Sequence, residues 1–173
     1  LTSQAERIIK LAHCPVWIHP HRNMSKLPET IVCAIDFSQT CKRAIEMAIV
    51  VAKSCAAKVH FVHVIPESSG YIEMEGELNF YYPNDFLERE ALEDSVTEIL
   101  QETLGEMNFD EVEHEEHIYF GGAADRVSVL CDKLNADLLV MGVSSHSAFE
   151  RMFMGSTVRW LLNKMENDIL IVK

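Results

Sequence analysis

No run of about 18 apolar residues occurs in the 173-residue chain, so a transmembrane helix is not expected. Leu1 to Glu6 lack the basic-then-apolar pattern of a signal peptide, and the missing initiator Met suggests a start inside a longer protein. The five cysteines (Cys14, Cys33, Cys41, Cys55 and Cys131) are odd in number, scattered and without C-x-x-C spacing. Neither a disulfide framework nor a zinc site follows from them. Several lie in apolar runs, where Cys acts as a small hydrophobe, and a reducing, cytoplasmic compartment is expected. Positive charge is missing from one region: residues 66–116 hold 17 acidic residues against Arg89 alone, a net −16. The rest of the chain holds 14 basic and 10 acidic residues, a net +4. No basic stripe is left for nucleic acid. The acidic block reads as a solvated helix face and loop, with a docking surface for a basic partner as the alternative. Nucleophilic catalysis lacks its signatures too, since no G-x-S-x-G elbow exists.

What is present is an ordinary globular composition, 48% apolar and 24% charged. A domain near this length buries about 68–70% of its unfolded surface, enough for a core without staples. Thr30 to Asp36 is a short β-branched run that reads as a strand buried on both faces. A helix follows to about Cys55, with Ser38 as its expected N-cap, then a strand over Lys58 to Val64. Pro66 to Asp85 reads as a long aperiodic loop in which Tyr81 and Tyr82 pack over their own domain or cover a ligand or partner. An acidic helix from about Phe86 to Met107 precedes a polar edge strand, Glu111 to Phe120. The remaining elements are a helix over about Ala123 to Leu134, a strand over Ala136 to Gly142, a helix from Gly155 to about Lys164, and a strand over Asp168 to Val172. This alternation predicts an α/β fold: an open parallel five-stranded sheet, order 3-2-1-4-5, with helices on both faces. Ligands bind such sheets where the strand order reverses, at the carboxyl ends of the first and fourth strands.

The C-terminal helix and strand can be laid on residues 3–20 at an offset of 153, with Leu161/Ile8, Leu162/Ile9, Ile169/Val16, Leu170/Trp17 and Ile171/Ile18 alike in character. Residues 1–22 therefore read as the end of a preceding copy, 23–29 as a linker and 30–173 as the domain. A lone helix and strand must dock somewhere, and the apolar edge of the last strand is the natural host, within the chain or between chains. Eight histidines raise the question of a metal. His60 and His63, three apart on a strand, face opposite sides, as do His114 and His117, so neither pair can share an ion. His19-Pro20-His21 lies toward the linker. No metal site is expected.

Gly142-Val-Ser-Ser145 and, ten residues on, Gly155-Ser156-Thr157 follow a strand and run into a helix. The start of that helix carries unpaired N–H groups and partial positive charge, where phosphates fit. Gly142 suits a tight turn, Gly155 a close backbone approach, and Ser156 and Thr157 add hydroxyl donors. The loop resembles the nucleotide-binding loop of the universal stress protein family, whose pattern is Gly, two residues, Gly, nine residues, then Gly and Ser or Thr. Ile35 to Ser38, Val62 to Val64, Gly121 and Ala136 to Gly142 extend the resemblance over residues 28–173, and residues 1–20 resemble the end of a second such domain. The resemblance implies the adenine nucleotide alpha hydrolase-like fold and a cytoplasmic stress-response module. It further implies ATP, with Mg²⁺, beside Asp36, with the Val64 main chain at the adenine edge and Ala34 and Ile35 lining the cleft. A plain helix-capping role for Asp36 stands beside that one.

Ser145 stands where the family pattern has its second glycine. A left-handed backbone there costs a non-glycine residue roughly 1–2 kcal/mol, which weakens binding about five- to thirtyfold. Two functions follow: a module binding ATP or a related adenine nucleotide at the Gly142–Thr157 loop, or a non-nucleotide-binding interaction module acting through its terminal edge strands. A homodimer or an intramolecular pseudo-dimer is the expected partner arrangement. No catalytic residue is assigned, with slow ATP hydrolysis or autophosphorylation left open.

Overall fold

The computed structural model describes residues 3–19, 27–66, 70–74, 77–81, 86–143 and 155–173. Two β-branched runs form the centre of the main sheet: β2 (Thr30–Ile35) and β3 (Lys58–Ile65), paired in parallel from Thr30 opposite Lys58 to Ile35 opposite His63. On one side lies the polar edge strand β6 (His114–Phe120), and on the other β7 (Leu138–Gly142) and β8 (Asp168–Val172), all parallel. The expected order of these five strands holds. The sheet nevertheless has six strands, because β1 (Val16–Ile18) adds antiparallel to the outer edge of β8 within the same chain. Val16 lies opposite Ile171, Trp17 opposite Leu170 and Ile18 opposite Ile169. Under the 153-residue offset this register maps onto itself, as a twofold pairing of two equivalent strands would.

The second correction concerns the stretch read as aperiodic. It holds a two-stranded antiparallel ribbon, β4 (Gly70–Met74) on β5 (Glu77–Tyr81), closed at Met74 opposite Glu77. The residues between the strands, Glu75-Gly76, are a weaker hairpin signal than Asn-Gly or Asp-Gly. Tyr82 lies outside the described residues.

Strand alternation divides the core in two. Ile31, Cys33, Val59, Phe61, Leu138 and Val140 face α2 (Gln39–Cys55) and α3 (Phe86–Gly105), which contribute Ala44, Ala48 and Leu100 among others. Val32, Val62, Val64, Leu139 and Ile171 face α4 (Ala123–Leu134) and α5 (Ser156–Lys164). Small alanines at 44, 48 and 52, spaced by one helical turn, let α2 lie close on the sheet. Among the α3 residues whose burial is described, Leu100 and Leu104 are buried, while Glu90, Glu93, Asp94, Glu98 and Glu102 are exposed, so this helix presents a solvated acidic face.

Helix α1 (Ser3–Leu11) lies on the α5 side, with Ile9 buried beside Leu161 and Leu162. Asp168, itself buried, ties β1 down: its Oδ2 accepts the Trp17 indole N–H at 2.7 Å, and Oδ1 lies 2.7 Å from His19 Nδ1. Burial pushes the Cys131 thiol up to about 12 and raises those of Cys33 and Cys41. These thiols behave as core hydrophobes.

Candidate functional site

Helices that cross between parallel strands run antiparallel to them. The N-termini of α2 and α5 therefore come to the carboxyl edge of the sheet, where β2 and β7 lie side by side. The order reverses at that point, since the chain leaves β2 toward β3 on one side and later returns through β7 on the other. Ala34, opposite both Val62 and Met141, and buried Ile35 form the floor of this edge. Val64 continues it on β3, one step beyond the Ile35–His63 pair, and Gly142 ends β7 opposite Val172.

Gly142 is required by packing. A Cβ on it would lie 3.1 Å from the Thr40 carbonyl oxygen and 3.2 Å from its carbon, so the bare backbone lets the first turn of α2 approach β7. Gly155 is the N-cap residue of α5, and a Cβ on it would meet no atom of the described residues within 4 Å. Ser156 is exposed and Thr157 half-buried on the first turn. Ser145, with the rest of residues 144–154, lies outside the described residues. The structure thus brings Ala34, Ile35, Asp36, Val64 and Gly142 to one edge and directs the start of α5 toward it.

Asp36 is exposed just past β2. Its Oδ1 accepts the Ser38 backbone N–H at 3.0 Å and the Ser38 hydroxyl at 2.6 Å, an Asx turn that shapes the entry to α2. Ser38 occupies the N-cap position, yet its side chain makes no capping bond to the helix. Its hydroxyl goes instead to Asp36 and, at 3.1 Å, to Thr40. Both roles weighed for Asp36 remain compatible with this geometry, since its carboxylate organises the helix start and borders the cleft.

Two neighbours were given no role in the cleft by sequence reasoning. Phe37 sits at φ 57°, in the left-handed region where a bulky side chain is strained. Its ring packs on His63, centroids 4.5 Å apart. The His63 Nδ1 lies 2.9 Å from the Ile35 carbonyl, to which its N–H donates. Burial lowers the His63 pKa, against the opposing effects of the Ile35 carbonyl and the Asp36 charge. The V-H-V run held the available signal: a histidine on the opposite face from its valines at the end of a buried strand.

The histidine pairs alternate as expected within each strand. What one-strand reasoning omits is the neighbour: His60 on β3 meets His117 on β6, with Nδ1 and Nε2 3.0 Å apart. Burial is the main cause lowering both of their pKa values. A pH dependence follows. Well above pH 6.5 His60, His63 and His117 are uncharged in both folded and unfolded chains. As pH falls below about 6.5 the unfolded chain takes up protons that the folded one refuses. Stability should therefore fall between pH 7 and pH 5. Asp110 and Glu115, held low by Lys53 and Lys58, add to the loss only below about pH 4. Urea midpoints at stepped pH values check this, and His63→Asn should flatten the upper part of the curve.

Among known proteins, the family model described as the universal stress protein family matches residues 28–173. A universal stress protein of Methanocaldococcus jannaschii is 25% identical over 154 residues, covering 88% of this chain and 86% of that one. The crystal structure of a universal stress protein from Archaeoglobus fulgidus superposes with a TM-score of 0.62 at 21% identity, over 92% of this chain but only 49% of that one. A second similar structure, of a universal stress protein in complex with cAMP, gives a TM-score of 0.59 at 22% identity, covering 86% and 99%. With the matched segment spanning the whole main domain and its reversal-point cleft, the chain belongs to the universal stress protein family.

Proposed function

We propose that this chain is a stress-response module that binds ATP or a related adenine nucleotide, with Mg²⁺, at the carboxyl edge of β2, β3 and β7. The observation that carries the reading is the start of α5 beside the strand-order reversal, where a Cβ on Gly155 would meet none of the described residues within 4 Å. Unpaired N–H groups of that first turn, with the Ser156 and Thr157 hydroxyls, suit phosphate oxygens. Ala34, Ile35 and the Val64 main chain would line the base, and Asp36 would lie beside the sugar or phosphates. Support also comes from the similar protein crystallised with cAMP. No catalytic step is assigned to these residues. No helix among the described residues is long and apolar enough to cross a membrane, and a cytoplasmic location belongs to the same reading.

The test is calorimetric titration of the protein with ATP and Mg²⁺ beside Ser145→Gly. Micromolar binding by the unaltered chain, tightened about five- to thirtyfold by the glycine, is the expected result. Absence of binding by both chains would overturn it.

A second reading, an interaction module without nucleotide, is favoured by the N-terminal segment. Ile9 is buried, but Ile8 and Leu11 are 61% and 68% exposed, whereas Leu161, the counterpart of Ile8, is 1% exposed. Residues 1–22 on this reading are the end of a preceding copy of the domain, whose own core would cover Ile8. The exchange-symmetric register of β1 on β8 supports the same view. A chain that binds no nucleotide and self-associates through this face would favour it.

A further inference from the structure

His60, Glu115 and His117 lie together at the beginnings of β3 and β6, on the face covered by α4 and at the far end of the strands from Gly142. His60 and Val64 are four residues apart on β3, about 13 Å along the strand, so this cluster is separate from the cleft. The parallel register sets His60 directly opposite Glu115, and His117 follows two residues later on the same face. His60 Nδ1 is 3.0 Å from His117 Nε2 and 3.5 Å from Glu115 Oε2, which is 4.0 Å from His117 Nε2. The nearest point equidistant from the three atoms lies in their plane, about 2.1 Å from each, the length of a zinc–nitrogen or zinc–oxygen bond; a tetrahedral site needs the three separations to even out at about 3.4 Å, a shift of a few tenths of an ångström.

We propose that His60, Glu115 and His117 form a site for a divalent first-row transition cation of the zinc class, clamping the edge strand β6 to β3. Two imidazoles with one carboxylate favour zinc, copper or nickel over magnesium or calcium, which prefer oxygen alone. Lys58 donates to Glu115 Oε1 at 2.6 Å, which holds the carboxylate and turns Oε2 toward the two rings. Such outer contacts orient the ligands of metal sites. The three side chains grade from buried (His60, 6% exposed) through His117 (20%) to Glu115 (51%), so the fourth position of a tetrahedron opens to water. Without metal, one ring donates its proton to the other across the 3.0 Å contact, the ring centroids lying 5.3 Å apart; to bind a cation, which lies off that line, both rings turn toward Glu115 and the donor ring's proton moves to its other nitrogen.

The test uses the full chain, stripped with a chelator and kept reduced by a phosphine. Zn²⁺ is titrated by calorimetry and Co²⁺ by visible absorption. One equivalent should bind, giving tetrahedral Co²⁺ bands without a thiolate charge-transfer band. His117→Ala should weaken binding at least a hundredfold and Glu115→Gln about tenfold. His114→Ala, on the same strand but outside the cluster, should leave it unchanged. Glu115→Gln changes only a half-exposed group and keeps the test usable should His117→Ala fold poorly. Hydrogen exchange of the β6 amides should slow on adding Zn²⁺. No binding would leave the cluster a hydrogen-bonded imidazole pair and overturn the proposal. Affinity unchanged in both variants, or a thiolate band from the cysteines, would overturn it equally.

Discussion

Asp168→Ala is expected to lower stability by about 2–3 kcal/mol and to release residues 3–19 from the sheet. The carboxylate is buried and serves two donors from another part of the chain, the Trp17 indole N–H and the His19 ring. Hydrogen bonds to a charged group contribute roughly 1.5–3 kcal/mol each. Trp17 and His19 are both more than a third exposed, so water takes over part of what alanine removes, and the expected loss falls below the sum of the two bonds. For a chain of this length the loss corresponds to a Tm drop of about 4–12 °C. Asp168→Asn, which keeps an acceptor without the charge, should lose less. Once β1 leaves, the apolar edge Ile169-Leu170-Ile171 is bare, and concentration-dependent self-association should appear. Thermal melts with light scattering measure both effects. An unchanged Tm and a monomeric variant would mean that Ile9 and its apolar neighbours hold the segment without Asp168.

Phe61→Ala carries the larger expected loss, about 3–5 kcal/mol, or a Tm lower by about 6–20 °C. The ring is fully buried in the middle of β3, edge-on to Phe109 at 5.8 Å and to His114 at 6.0 Å. Phe109 in turn stacks on His114 at 4.0 Å. One side chain thus anchors the connection from α3 to β6 as well as the core beneath α2. Alanine would leave a cavity between two layers that strand and helix geometry prevent from collapsing. The edge strand should loosen with it, and hydrogen exchange along β6 should rise more than along β2 or β7. Urea denaturation gives the free energy. A loss near 1 kcal/mol would show that the connection repacks into the space.

The order of the five parallel strands was legible because burial on both faces leaves an uninterrupted apolar run. Thr30 to Asp36, Lys58 to Val64 and Ala136 to Gly142 read as central, and the charged Glu111 to Phe120 as an edge. The cleft was legible too, since a reversal in strand order and a glycine-led helix start are local patterns with one geometric outcome. Gly142 was marked as a turn residue, but its stricter requirement, contact with the Thr40 carbonyl, comes from an element a hundred residues earlier. The β4–β5 ribbon carried only Glu75-Gly76 as its turn signal. Ser38 was recognised as a cap by type, yet Asp36 and Thr40 claim its hydroxyl.

The pairing of His60 with Glu115 and His117 was invisible along the chain because alternation describes one strand at a time. Side chains more than fifty residues apart become neighbours only when two strands take a common register. The sequence by itself determined which faces are apolar, where the helices begin and where the strand order reverses. Tertiary structure alone decided the direction of β1, the partners of Asp168 and the cross-strand histidines, because each depends on a distance between segments that no local pattern encodes.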